Sequence, residues 1–143
     1  MREMNPGSYT VSPLTVIAHR EVDALVTECH PEGRVGGKKA SLELARFPSR
    51  GFQLRQEGQL VGVYLASLGG TPAGRTSCNL GLWCVRPHAR SKALTLLHRV
   101  LRQSSDVVTD FTPTPEVAQL NQRLGFTDLD TTAFQVLNVR TPP

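Results

Sequence analysis

The sequence contains few cysteines. Cys29, Cys78 and Cys84 are an odd number without the paired spacing of a zinc site, so neither a disulfide scaffold nor a metal centre is expected. Cys78 and Cys84 are on one extended segment, where six residues span roughly 20 Å. That separation excludes a bond between these two sulfur atoms. We therefore interpret all three cysteines as reduced thiols.

The chain also lacks a long apolar run. No segment approaches the roughly 20 apolar residues of a membrane-spanning helix, and the first ten residues, MREMNPGSYT, have no apolar signal core. We therefore expect no membrane partner and a cytoplasmic location. The net charge is only +4, and aromatic residues, at 6%, are not interleaved with the basic ones. A nucleic-acid partner is not expected from this pattern.

The composition is that of a globular protein. The 143 residues are 39% hydrophobic and 20% charged, which is ordinary for a single folded domain with its own core. Residues 1–8 have the composition of a flexible tail. We therefore predict one domain over residues 9–143.

The most informative stretch is Asn79–Gln103. It begins with an apolar segment that ends at Val85 and predicts a buried strand. Pro87 has no N–H group and should end the strand pairing. After Arg90 the apolar residues recur at helical spacing and predict an amphipathic helix: Ala93, Leu94, Leu96, Leu97, Val100 and Leu101. The free N–H groups that begin such a helix, together with Arg90 and Lys92, predict an anion site.

Periodicity and turn residues predict the remaining elements. The predicted order is a strand, two helices, three antiparallel strands, the amphipathic helix, a strand, a helix and a strand. Besides the amphipathic helix, the predicted helices are Glu21–Cys29, Ser41–Phe47 and a helix capped by Thr114 and ended by Gly125. The predicted strands are Tyr9–Ile17, Phe52–Gln56, Leu60–Leu68, Thr76–Val85, Asp106–Phe111 and Thr132–Val139, and residues 33–40 are a predicted loop.

These features together resemble the GCN5-related N-acetyltransferase (GNAT) superfamily. Val85, Pro87 and Arg90 match its V-x-P-x-x-R pattern, and Leu124-Gly125-Phe126 matches the end of its closing motif. The order of elements also matches, over roughly residues 9–139. Where the family has three glycines after the arginine, this chain has Ser91, Ala93 and Thr95. The resemblance implies an α/β fold: a mixed, mostly antiparallel sheet with a central parallel strand pair and helices on both faces.

The resemblance also implies a function, which is transfer of an acyl group from acetyl-coenzyme A or another acyl-coenzyme A to an amine. The acceptor would be a small molecule or a peptide, and a homodimer is left open. The cofactor-binding residues that it implies are Cys84, Val85, Arg90, Ser91, Lys92, Ala93, Leu94, Thr95 and Asn121.

Two catalytic side chains of the family are missing. No carboxylate is present near Leu82, where the family often has a glutamate base, and Asn121 replaces the tyrosine that often protonates the leaving thiolate. Asn121 can form hydrogen bonds and is therefore kept as a catalytic candidate, but it cannot act as an acid near neutral pH. Asp110 is the best substitute base, although it also suits a solvated strand end. The missing groups leave open a non-catalytic module that binds a ligand or a protein.

Three other side chains near the predicted site have two interpretations each. His88 is either a functional group, as a base or a phosphate contact, or a surface residue. Cys84 is either an acyl-accepting nucleophile or a buried thiol, and nothing in its apolar strand predicts a lowered pKa. Trp83 suits the core, although an exposed edge of its ring could face the acyl chain.

Overall fold

The structure is a computed structural model that describes residues 7–14, 19–31, 51–70, 73–103, 105–111 and 113–128. The chain forms two compact units, residues 1–112 and 113–143. The predicted loop over residues 33–40, the helix Ser41–Phe47 and the last strand Thr132–Val139 lie outside the described residues, as does most of the predicted tail. The single domain over residues 9–143 stays a prediction.

The first unit contains a five-stranded sheet whose spatial order is the chain order. The first four strands pair antiparallel with their neighbours, and the fifth pairs parallel with the fourth. This arrangement confirms the predicted mixed sheet. The strands are β1 (Tyr9–Pro13), β2 (Phe52–Gln56), β3 (Gln59–Gly70), β4 (Thr76–Val85) and β5 (Val107–Asp110).

Among the described residues of the first unit, the helices are α1 (His19–Cys29), a 3-10 helix (Pro87–Lys92) and α2 (Ala93–Leu101). The second unit contains α3 (Pro115–Arg123). None of these helices, nor any other in the described ranges, has the combination of length and apolar character needed to cross a bilayer.

The predicted elements that fall in the described residues are present, and several of their boundaries differ by one to four residues. The strands β2 and β4 have the predicted bounds, whereas β1 ends earlier, at Pro13, and α1 begins earlier, at His19. Glu57 and Gly58 both have positive φ, 50° and 83°, as a two-residue hairpin turn requires. Because the turn needs only these two residues, Gln59 pairs with Gln56 and β3 starts one residue earlier than predicted.

The two helices of the first unit cover opposite faces of the sheet. Three apolar residues of α1 pack in one cluster with sheet residues on one face; the cluster is Val22, Leu25, Val26, Leu60, Val63, Leu65 and Cys84. On the other face, Leu96 of α2 packs above Gly62. Gly62 and Val63 are neighbours in β3, and successive strand residues face opposite sides. Burial of each such Val or Leu side chain stabilises the fold by about 1.5–3 kcal/mol.

A reciprocal set of hydrogen bonds aligns the starts of the two parallel strands. The Thr76 N–H group and hydroxyl donate to the Asp106 carboxylate over 2.7 and 2.9 Å. The Asp106 N–H group donates to the Thr76 carbonyl and hydroxyl oxygens, each over 3.1 Å. The first strand pair, Ser77 with Val107, follows at once. These bonds therefore set the register of β4 and β5.

The second unit has the predicted helix signals. The Thr114 hydroxyl accepts a hydrogen bond from the Val117 N–H group over 3.4 Å, which caps α3. Gly125 has a φ of 91°, as expected for a residue that ends a helix in the left-handed conformation. The Asn121 carbonyl accepts hydrogen bonds from Leu124 and Phe126, which closes the helix end.

We predict that Gly62→Ala destabilises the protein. The added Cβ atom would lie 3.1 Å from Cγ2 of Val85 and 3.3 Å from both Cβ of Leu54 and Cδ1 of Leu96, so these neighbours must shift by a few tenths of an ångström. We expect a loss of about 1–3 kcal/mol in the free energy of unfolding. Urea titration followed by the fluorescence of Trp83, the only tryptophan, measures it.

Gly70→Ala is the matched control, because it is in the same strand and its added Cβ atom would meet nothing within 4 Å. Its free energy of unfolding should change by less than about 0.5 kcal/mol. Equal losses in the two variants would contradict the close approach of α2 to Gly62.

We also predict that the bonds between Thr76 and Asp106 make stability depend on acid pH. The hydrogen bonds from Thr76 lower the pKa of the Asp106 carboxyl. The folded pKa is then below the unfolded value of about 3.9. The carboxylate therefore contributes stability above the unfolded pKa, and this contribution is lost as the pH falls through the folded pKa.

The measurement compares the urea midpoints of the native protein and Asp106→Ala at a series of pH values. The difference should be largest at neutral pH and should shrink below about pH 4. Thr76→Val, which keeps the backbone donor, should lose only part of the effect. A difference that stays constant across this range would show that the Asp106 charge is not stabilised in the fold.

Candidate functional site

The parallel strands β4 and β5 pair along only part of their length. Their register runs from Ser77 opposite Val107 to Leu80 opposite Asp110, where β5 ends. The strand β4 continues for five more residues, Gly81–Val85, and on its β5 side no strand in the described residues pairs with them. This open edge offers backbone N–H and C=O groups that a ligand can bind.

A β-bulge lies where the two strands part. Tyr64 is opposite Trp83 and Ala66 is opposite Leu80, so two residues of β4 face the single residue Leu65. The extra residue reverses the side-chain alternation of β4 and brings Trp83 and Leu80 to the same face. Gly81 is in this bulge, and a Cβ atom there would be 3.1 Å from the Leu65 carbonyl oxygen. A glycine therefore suits this close approach of two backbones.

An aromatic pair lies on the face that the bulge creates. The Tyr64 and Trp83 rings stack in parallel with their centroids 4.8 Å apart. Tyr64 is buried, whereas Trp83 is half-buried. The Trp83 indole N–H is shielded from solvent and has no acceptor among the described residues. Tyr64 was not predicted from the sequence, because its contact with Trp83 depends on strand register and on the bulge.

Asp110 is the last residue of β5, at the point where the strands part. The register places it beside Leu80, on the same face as the aromatic pair. Burial raises the pKa of the Tyr64 hydroxyl, and the negative charge of Asp110 raises it further. The phenol of Tyr64 therefore stays protonated near neutral pH, and the Asp110 carboxylate is close enough to influence it electrostatically.

The segment after β4 differs from the predicted helix start. Residues Pro87–Lys92 form a 3-10 helix, and α2 begins only at Ala93. The Ala89 N–H group donates to the Arg86 carbonyl over 2.9 Å, and the Ala93 N–H group donates to the Arg90 carbonyl. This winding uses the Ala93 donor internally, so Ala93 cannot offer its N–H group to an anion in this conformation.

The charge around this segment is strongly positive. Residues 58–105 contain no Asp or Glu, but they contain six Lys and Arg residues: Arg75, Arg86, Arg90, Lys92, Arg99 and Arg102. Arg86 forms an ion pair with Glu28 at 2.9 Å, and the Lys92 ammonium lies 5.8 Å from the Tyr9 ring centroid. Arg90 is exposed and has no ion pair in the described part of the chain. It is the cation best placed to meet an anionic ligand here.

The remaining candidates have diverse positions. Ser91, Leu94 and Thr95 are exposed around the start of α2, and His88 is exposed on the 3-10 helix. Asn121 is buried in α3 of the second unit, so its predicted contact with a cofactor thiol stays a prediction. The described residues contain no group of three or more His, Cys, Asp or Glu side chains that could hold a metal ion.

Cys84 has the environment of a core residue. Its side chain is 2% exposed, and burial raises the pKa of its thiol to about 12. A thiol with this pKa is a poor nucleophile near neutral pH. Val85, which follows Cys84 at the end of the open edge, is half-buried. Both residues are placed to contribute backbone groups rather than side-chain chemistry.

Comparison with known proteins gives structural matches only. No protein-family model matches the chain, and no curated protein matches it in sequence. A ribosomal-protein-alanine N-acetyltransferase from Brucella melitensis biovar Abortus 2308 superposes with a TM-score of 0.69 at 16% identity, over 91% of this chain and 99% of that one.

Two further solved structures are similar at comparable TM-scores. An aminoglycoside N-acetyltransferase in complex with coenzyme A gives a TM-score of 0.67 at 16% identity, over 94% of this chain and 98% of that one. Glucosamine-6-phosphate N-acetyltransferase from Arabidopsis thaliana gives 0.65 at 9% identity, over 92% of this chain and 99% of that one. The resemblance seen in the sequence is thus confirmed at the level of the fold, and this chain has the α/β fold of the GCN5-related N-acetyltransferases.

Proposed function

We propose that this chain binds an acyl-coenzyme A and transfers the acyl group to an amine. The observation that carries the proposal is the open edge of β4 over Gly81–Val85, beyond the last paired residue of β5. An amide-containing chain such as pantetheine binds well to an unpaired strand edge, because it completes the hydrogen bonds of the backbone. The similar solved structures include N-acetyltransferases, one of them in complex with coenzyme A.

The residues around the open edge fit such a cofactor in most respects. Cys84 and Val85 would hold the pantetheine through backbone groups, and Arg90, Ser91 and Lys92 would meet the diphosphate. Leu94 and Thr95 follow at the exposed start of α2. Ala93 does not fit as a donor while its N–H group is bonded to Arg90. In this proposal, charged side chains therefore bind the diphosphate in place of some of the backbone N–H groups.

The chemistry requires a polarised carbonyl and a base. When bound, the cofactor supplies an activated thioester. A backbone N–H group on the open edge of β4 would polarise its carbonyl. Asp110, where β5 ends, would accept the proton of the attacking amine, the thioester C–S bond would break as the C–N bond forms, and the leaving coenzyme A thiolate would take a proton from solvent. The Tyr64 phenol, kept protonated beside it, would hold this carboxylate in place.

The acceptor, the location and the assembly of the protein are separate predictions. We propose an amine on a small molecule or a peptide as the acceptor, since the similar structures include enzymes named for aminoglycosides, glucosamine-6-phosphate and a ribosomal protein. A cytoplasmic location and a homodimer stay predictions of the sequence.

A second candidate function is a non-catalytic module that binds a ligand or a protein. The absence of a carboxylate on β4 and the internal use of the Ala93 donor favour it. It differs from the first proposal in one measurable respect, which is turnover.

We predict that Arg90→Ala weakens binding of coenzyme A. The variant removes the exposed cation nearest the end of β4, so a charge-assisted contact worth about 1.5–3 kcal/mol is lost. Affinity should fall roughly 10- to 100-fold. Isothermal titration with coenzyme A and acetyl-coenzyme A measures this change. Quenching of Trp83 provides a second signal.

Arg99→Ala is the matched control, because it removes the same charge from an exposed position further along α2. It should change the affinity by less than about threefold. Absence of binding by the native protein to either compound would refute the proposed cofactor. Equal losses in both variants would show that Arg90 acts only through net charge.

We predict that Asp110→Asn reduces acyl transfer without weakening cofactor binding. The amide has nearly the same shape but cannot take a proton from the amine. The rate constant kcat should fall by about 10²–10⁴. The assay measures thiol release from acetyl-coenzyme A with a panel of amino sugars, aminoglycosides and peptide N-termini.

Glu116→Gln is the control for loss of a carboxylate elsewhere, and its activity should match that of the native protein. Cofactor binding without turnover on any amine would favour the non-catalytic module. Turnover that is unchanged in Asp110→Asn would remove Asp110 as the base and leave the transferase proposal standing.

A further inference from the structure

Two of the three cysteines meet in the fold although 55 positions separate them in the sequence. Cys29 is the last residue of α1, and Cys84 is the last but one of β4. Cys29 packs against the core cluster that contains Cys84. Next to the larger effect of burial, a side-chain hydrogen bond between the two thiols lowers the pKa of Cys29 and raises that of Cys84. Cys78 lies elsewhere, because the bulge in β4 places it on the opposite face of the sheet.

The two thiols differ in access to solvent. Cys29 is half-buried, at the end of α1, whereas Cys84 is 2% exposed. A dissolved reagent therefore reaches Cys29 first, and Cys84 is accessible chiefly to its neighbour. Burial raises the pKa of the Cys29 thiol, and the Glu28 carboxylate raises it further. The hydrogen bond with Cys84 and the guanidinium groups of Arg86 and Arg90 offset part of this rise.

We propose that Cys29 and Cys84 form a redox-active modification site, which a low-molecular-weight disulfide converts into an intramolecular disulfide. The Cys29 thiolate attacks one sulfur of the reagent, forms a mixed disulfide and releases one thiol. The Cys84 thiol, although a poor nucleophile in solution terms, adjoins the mixed disulfide; it loses its proton to solvent, attacks the Cys29 sulfur and releases the second thiol. Two protein thiols are oxidised, and one disulfide is reduced to two thiols, so electrons and protons balance.

The new bond would join the end of α1 to the end of β4. The S–S bond is about 2.0 Å long, so rotation of the two side chains must bring the sulfur atoms together. The closed loop would contain β2 and β3 and would restrict the unfolded chain. Oxidation should therefore raise the melting temperature. This inference does not depend on the proposed transferase function.

The test is incubation of the full chain with oxidised glutathione at about pH 8.5, where thiolates are more populated. Intact mass spectrometry should show the loss of two hydrogen atoms with no glutathione retained. Peptide mapping without reduction should join the peptides of Cys29 and Cys84. The melting temperature should rise, and a reducing agent should reverse each change.

Three single variants complete the design. Cys78→Ala is the matched control, since it removes a buried cysteine outside the pair and should still lose two hydrogen atoms. Cys84→Ala should instead retain one glutathione on Cys29, and Cys29→Ser should form neither product. Glutathione retained by the native protein, a bond that involves Cys78, or three unreacted thiols would each overturn the proposal.

Discussion

The candidate site depends on the unequal lengths of two parallel strands. The register of β4 and β5 begins beside the hydrogen bonds of Thr76 and Asp106 and ends at Leu80 and Asp110. Among the described residues, the last five residues of β4 therefore have no strand partner on the β5 side, and their backbone groups can bind a ligand there. In the same place the bulge rotates Trp83 onto the face of Tyr64 and Asp110. The end of β5 thus determines the open backbone, and the bulge between β3 and β4 determines the side chains beside it.

Positive charge without acidic partners distinguishes the segment that follows. The absence of Asp and Glu from residues 58–105 leaves Arg90 unneutralised beside the end of β4. Arg86 and Lys92 are less available, because Glu28 and the Tyr9 ring engage them. In the 3-10 helix the Ala93 N–H group donates to the Arg90 carbonyl, so it cannot bind an anion. A diphosphate at this position would therefore depend on guanidinium charge more than on backbone donors.

Much of the fold was predictable because the signals are local. The strands β2 and β4, the Thr114 cap, the Gly125 stop and the order of elements all follow from residues that are near each other in the sequence. The winding of Pro87–Lys92 was not predicted correctly. A single period of apolar residues does not distinguish a 3-10 turn from the first turn of an α-helix, since both leave Leu96 and Leu97 buried.

The sequence by itself determined the order of elements and the basic segment after Pro87, because spacing and composition record these directly. The mixed sheet and the lack of the usual acid and base followed from the resemblance to the GCN5-related N-acetyltransferases. Only the tertiary structure decided which distant residues meet. The stacking of Tyr64 on Trp83 requires a β-bulge that the sequence pattern does not predict. The contact of Cys29 with Cys84 requires α1 to pack across β4. Both depend on register and packing between segments far apart in the chain, and these emerge only when the core is assembled.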